Sequence, residues 1–313
     1  MEELDLQERR ARAARLRPHC QRMSRIGWAL LSYMAAGLVL QLAAVPVLRR
    51  VPQLLDQPLF SWGFSLVVSY GVCFPLFCVI LGRGTGEVTP RRQRVGPLRF
   101  GQLAAISVAA LYLSSLITQA IIALIAAGRG RPVVDPVEQM LDYPLICNLL
   151  LICVAAPVCE EIMFRRLILD RLRPYGDAFA VVASALAFGL MHGNLSQLLY
   201  AFTLGCVFGY VALVTGRIWH TILLHAFINS ISALLLPVAQ KLGEQAEVAL
   251  SLAILAAVLL GIVFFVALRR DIILLPGTVD LEEGTKWRLL LTSPGFLLFC
   301  LAAAAQAALV LRL

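Results

Sequence analysis

At 313 residues, 60% of them hydrophobic and only 15% charged, the chain has more apolar surface than a soluble domain of this length can bury, which excludes an ordinary globular protein and leaves a polytopic membrane protein. The net charge of +8 sits mainly on arginines flanking apolar runs. It therefore reports orientation in a bilayer and attraction to anionic lipid, not affinity for nucleic acid.

Residues 1–25 read as a cytoplasmic arm carrying Arg9, Arg10, Arg12, Arg15, Arg17, Arg22 and Arg25. The apolar run after it is too long for a signal-peptide core, so an uncleaved start-anchor is expected, and Glu2, Glu3, Asp5 and Glu8 argue against a mitochondrial transit peptide. The arm's periodicity allows an amphipathic surface helix as well as a solvated segment. Crossing ~30 Å of hydrocarbon takes about 20 apolar residues as a helix. Such runs occur at 26–48, 60–82, 101–127, 145–170, 178–193, 196–214, 217–238, 247–268 and 288–311. The fold expected is thus all-α, a transmembrane helical bundle of about eight or nine spans forming one integral membrane domain over 26–313. The runs 178–193 and 196–214 are the shortest and meet at a tight HGNLS turn.

Positive residues stay on the cytoplasmic side. The 83–100 loop carries Arg83, Arg91, Arg92, Arg94 and Arg99; residues 165–173 carry four arginines; Arg217, Arg269 and Arg270 mark further ends. The alternate loops, RGRPVVDPVEQMLDY and KLGEQAE, are acidic or poorer in basic residues. Nine spans would put the N-terminus inside and the C-terminus outside, with Arg49 and Arg50 the exception. The eight cysteines include no CxxC pair and read as small buried hydrophobes. GCVFG (205–209) reads as close helix packing within a monomer, and GTVDLEEGTKW as a solvated cytoplasmic loop.

The ionisable groups inside the apolar runs collect in three neighbouring segments. VCEEIMFRR (158–166) places Glu160, Glu161 and Arg165 in one run, FGLMH places Phe188 and His192 in the next, and HAFIN places His225 and Asn229 in a third. At 1.5 Å of rise per residue, these groups lie roughly 12–21 Å from the cytoplasmic boundary, near one level. Glu161 and Arg165 are four apart on one face and suit an internal ion pair, whereas Glu160 is rotated by about 100° and can face something else. His225 and Asn229 share a face, and Phe188 lies one turn from His192. Any one of these groups alone could be interhelical glue; together, at one depth, they point to a pathway or a reaction centre. An acid, two imidazoles and an amide suit peptide-bond hydrolysis by activated water, with Glu160 as general base beside His192 and with His225 and Asn229 as oxyanion donors. Ser184 and Cys159 have no base beside them and read as packing. A zinc set of Glu160, His192 and His225 is the metal alternative, although no HExxH spacing occurs.

EEIMFR, FGLMH and HAFIN, in this order, resemble the EExxxR, FxxxH and HxxxN motifs of the CPBP family of intramembrane proteases, which includes type II CAAX prenyl endopeptidases, abortive-infection-like proteins and bacteriocin-processing proteins. The resemblance covers roughly residues 145–238, the expected protease core. It implies a glutamate-dependent endopeptidase without a cofactor, in which Glu160 and His192 activate water, His225 and Asn229 form the oxyanion hole, and Glu161 and Arg165 support the site. The partners it implies are a bacterial cytoplasmic membrane and a membrane-associated protein or peptide substrate, lipidated or not, met by a monomer. Two other classes fit the residues: a non-catalytic immunity or scaffold protein that binds a peptide, and a proton-coupled transporter, which the lack of an inverted repeat disfavours.

Overall fold

In hydrocarbon a backbone must satisfy its own N–H and C=O groups, and a helix does so within one segment. The computed structural model describes residues 2–54, 57–82, 93–133 and 144–312, and every regular element among them is helical. Arg83, Arg91, Arg92 and residues 134–143 of the RGRPVVDPVEQMLDY loop lie outside the described residues.

In chain order the described helices are α1 (Glu2–Arg50), α2 (Pro58–Leu81), α3 (Pro97–Arg129), α4 (Leu145–Tyr175), α5 (Asp177–Met191), α6 (Leu195–Thr215), α7 (Trp219–Leu242), α8 (Glu244–Leu268), α9 (Glu283–Thr292) and α10 (Pro294–Arg312). Eight of them, all except α5 and α9, are long and apolar enough to cross a membrane. The run expected to span at 178–193 becomes the 15-residue α5. At about 22 Å it falls short of the ~30 Å hydrocarbon core.

Because α5 stops early, its exposed helix end needs local partners, and the HGNLS turn supplies them. Gly193 takes φ +60°, a left-handed conformation that a side chain disfavours. Asn194 then caps α6 by accepting a hydrogen bond from the Gln197 backbone N–H at 2.9 Å. Its side-chain amide donates to the His192 carbonyl at 2.9 Å and to Gln197 Oε1 at 2.7 Å.

Two apolar clusters hold the bundle. The larger joins α1, α2, α4, α5, α9 and α10 through residues such as Met23, Phe77, Phe164, Phe179, Leu290 and Phe299. The smaller joins α3, α6 and α7 through Leu103, Phe208, Leu224 and Ile228. The antiparallel pair α5 and α6 lies between them. Gly205 of GCVFG sits so near α5 that a Cβ there would come within 2.9 Å of the Ala185 Cα, so this motif is spent on packing inside the chain. Much of α8 is exposed apolar surface, including Leu252, Leu255, Leu259 and Val263, as a lipid-facing helix requires.

The Arg-rich residues before position 26 continue α1 as helix. Leu16 and Cys20 pack on the larger cluster and Met23 is fully buried, so the arm and the first span form one element. The segment GTVDLEEGTKW is likewise not simply solvated. The Val279 N–H donates to the Pro174 carbonyl at 2.9 Å, Trp287 meets Phe179 edge-on at 4.8 Å, and Lys286 is buried and paired with Glu283. Its apolar residues pin the end of α4, which its local charge count does not reveal.

Candidate active site

The helices that reach the centre of the bundle are not uniform. α2 contains a π-helical stretch at Val67–Cys73, α4 contains two at Leu149–Ala155 and Ile162–Leu169, and α7 contains one at Ile231–Leu235. A π turn widens the helix and breaks the i→i−4 ladder, and such turns gather at functional sites. Here they flank the residues singled out from sequence: Glu160 and Glu161 lie between the two in α4, and Asn229 lies just before the one in α7.

All but the Ile162–Leu169 stretch border a cavity of about 250 Å³ lined by Glu160, Phe188, His192, His225 and Asn229. Three helices thus bring five of the seven expected site residues to one space. Glu161 and Arg165 do not line it. They lie behind it with fully buried side chains, Arg165 Nε 3.1 Å from Glu161 Oε2.

The buried pair has an unexpected third member. His225 Nδ1 is 3.0 Å from Glu161 Oε1. Held against a guanidinium, Glu161 is an acceptor, so Nδ1 carries the proton and donates. The other face of the imidazole turns toward Glu160, with Nε2 3.8 Å from Oε2, too far for a direct hydrogen bond. Arg165, Glu161 and His225 therefore form a chain that ends at the cavity. The expectation of Glu161 as a partner of Arg165 holds, but His225 joins that pair as well as facing the cavity with Asn229.

Arg165 is packed in an unusual way for a charged side chain. Its guanidinium carbon lies 4.8 Å from the Phe188 ring centroid, 5.8 Å from that of Phe208 and 6.0 Å from that of Phe164. Its Nη1 and Nη2 are buried without hydrogen-bond partners. Three aromatic faces and one carboxylate supply the attraction that water would otherwise give. Phe188 has a double role, because its ring also meets His192 edge-on at 5.0 Å and His225 at 5.8 Å.

His192 lines the cavity with Glu160, but its hydrogen bond goes to the backbone of its own helix. Its Nδ1 is 2.8 Å from the Phe188 carbonyl. A carbonyl only accepts, so Nδ1–H is the donor and Nε2 of the neutral ring is an acceptor. Asn229 donates from Nδ2 to the Ile152 carbonyl at 2.8 Å, inside the first π stretch of α4. One amide hydrogen is thereby fixed, which orients the other.

Sequence reasoning missed a polar wall opposite these groups: Ser65, Ser69 and Tyr70 from α2, and Gln197 and Tyr200 from α6. Gln197 Nε2 donates to the Tyr200 hydroxyl at 2.8 Å, and Tyr33 of α1 hydrogen-bonds Ser69. The available signal was the i, i+4 pair Ser65 and Ser69 within an otherwise apolar run. Among the described residues no group of three or more His, Cys, Asp or Glu side chains is placed to hold a metal ion; Glu160, His192 and His225 do not form one. Ser184 donates to the Phe164 carbonyl at 2.8 Å and is a packing residue. All eight cysteines are free thiols.

The chain is thus a multi-pass helical membrane protein whose intramembrane acid, imidazoles and amide share one cavity, and comparison with known proteins adds to this. Residues 142–231 match the family model described as type II CAAX prenyl endopeptidase Rce1-like. It is 28% identical over 222 residues, 65% of this chain and 87% of the other, to a Bacillus subtilis (strain 168) protein named "Putative membrane peptidase YdiL". No solved structure matches the chain.

Proposed function

We propose that the protein is an intramembrane endopeptidase of the glutamate type, which hydrolyses a peptide bond of a membrane-associated protein or peptide. The observation that carries this reading is the meeting of Glu160, His192, His225 and Asn229 on one cavity, with the Glu161–Arg165 pair sealed behind it.

The residues divide the work as follows. A water held between Glu160 and His192 Nε2 attacks the scissile carbonyl carbon while Glu160 takes its proton. The carbonyl oxygen becomes an oxyanion and receives the second N–H of Asn229 and the Nε2–H of protonated His225. Because Nδ1–H already donates to Glu161, His225 donates toward the cavity only when Nε2 carries a proton as well. Collapse of the tetrahedral intermediate breaks the C–N bond, and Glu160 returns its proton to the leaving amine. The wall of Ser65, Ser69, Tyr70 and Gln197 offers hydrogen bonds to the peptide groups of a substrate.

The test is purified protein in lipid vesicles given a panel of quenched-fluorescence peptides with membrane-anchored ends. Cleavage by the wild type together with a loss of about 100- to 1000-fold in Asn229→Ala is expected. Equal rates in the two proteins would remove Asn229 from the oxyanion site.

A further inference from the structure

Four side chains from four helices meet in one layer at the floor of the active cavity. The Arg165 guanidinium of α4 lies 4.8 Å from the Phe188 ring of α5 and 5.8 Å from the Phe208 ring of α6. Both rings in turn approach the His225 imidazole of α7, at 5.8 and 5.6 Å. All four residues are buried, His225 the most exposed of them at 6%.

Chain direction sorts the residues on either side of this layer. α4 and α6 run toward their ends at Tyr175 and Thr215, while α5 and α7 run away from their starts at Asp177 and Trp219. Beyond the layer from those four termini lie Glu160 on α4, His192 after α5, Tyr200 and Gln197 on α6, and Asn229 and Ser232 on α7, and all of them line the active cavity. Toward the termini, Arg166 and Arg173 follow Arg165, and Gly216 and Arg217 follow Phe208. These residues line a separate cavity of about 530 Å³ that reaches no deeper along α4 than Arg165. The two spaces have no lining residue in common, so the layer divides them.

The arginine bias assigns the terminus side, with Arg166, Arg171, Arg173 and Arg217, to the cytoplasm. The active cavity therefore lies on the other side of the seal. Its rim there is polar and not closed: Ser232 is exposed, and Ser65, Gln197 and Tyr200 are partly exposed. Polar side chains within spans face water or protein in preference to lipid, so such a rim borders an aqueous opening. We propose that the active cavity opens on the non-cytoplasmic face of the membrane and takes its scissile bond from the juxtamembrane stretch of an exported, membrane-anchored protein. The side follows from the layer and the arginines; the substrate rests on the endopeptidase reading above.

The test uses the full chain in sealed membrane vesicles of both orientations and a membrane-impermeant maleimide, which reads the side of the cavity without any hydrolysis. Ser65→Cys and Ser232→Cys should take label above the wild-type background of native cysteines in right-side-out vesicles and lose that excess in inside-out ones. Arg217→Cys, exposed on the opposite side of the layer, should do the reverse. A membrane-anchored quenched-fluorescence peptide added outside wild-type vesicles should be cut only in the right-side-out preparation. Labelling of the two serine variants from the cytoplasmic side would overturn the proposal, as would equal labelling from both sides, no labelling from either, or cleavage confined to inside-out vesicles. Labelling as expected with no cleavage in either orientation would overturn the peptidase reading and its substrate while establishing the opening.

Discussion

Glu160 and Glu161 are adjacent and chemically alike, yet they stand in two different regions of the molecule. The Glu160 side chain is 25% exposed, borders the cavity and approaches His225 only at 3.8 Å. The Glu161 side chain is fully buried, 3.1 Å from Arg165 Nε and 3.0 Å from His225 Nδ1, on the side of the helix that Phe164, Phe188 and Phe208 close off. One step of about 100° around a helix separates a carboxylate left available for chemistry from one consumed in holding its neighbours. The burial of Arg165 and Glu161 is tolerable because each offsets the other, and neither could lose its partner cheaply.

This contrast can be broken from either side. The largest effect is expected from Glu160→Gln, which keeps shape and volume but removes the base: peptide hydrolysis should fall by at least about 100- to 10,000-fold, with thermal stability unchanged in a melting assay. Arg165→Met should do the opposite. It leaves Glu161 buried without its cation, and a destabilisation of about 3–5 kcal/mol is expected, read as a lower melting temperature and a smaller folded yield. Adding Glu161→Gln to Arg165→Met should recover much of that stability, because the orphaned charge is then gone. Phe188→Leu removes the nearest ring from the guanidinium and should cost about 0.5–2 kcal/mol from that contact, measured in the same melts. The smallest effect belongs to Cys159→Ala. The thiol next to Glu160 has no role in the proposed chemistry, so the hydrolysis rate should be unaltered, and a large loss would point to a thiol nucleophile.

Much of this was legible in the chain before any coordinates. Apolar runs with few charges mark spans by length alone, because the bilayer forbids other structures, and the eight long helices fall on runs read from sequence. The pairing of Glu161 with Arg165 follows from i, i+4 spacing, as does the shared face of His225 and Asn229. What could not be read depends on contacts between helices. The partner of His225 Nδ1 lies 64 residues away, and nothing local distinguishes Glu161 from Glu160 as its acceptor. The Ile152 carbonyl that holds Asn229 lies in a π stretch that composition does not announce. His192 spends Nδ1 on the backbone of its own helix because α5 ends there. The stop itself, made by Gly193 and Asn194, falls in the HGNLS turn read from the sequence; the bond it leaves to His192 does not show there. The segment after α8 misled for a related reason: its charges are visible locally, whereas its packing of Val279 and Trp287 against α4 and α5 is not.

The central claim is that Glu160 is the reactive member of the pair. The most direct measurement compares the peptides released from membranes of cells expressing the wild type or Glu160→Gln at matched levels, with and without a chelator. The account predicts a product that appears only with the wild type and persists in the chelator. The same products in both proteins would contradict it, and would leave the motif-bearing cavity as a peptide-binding site without chemistry.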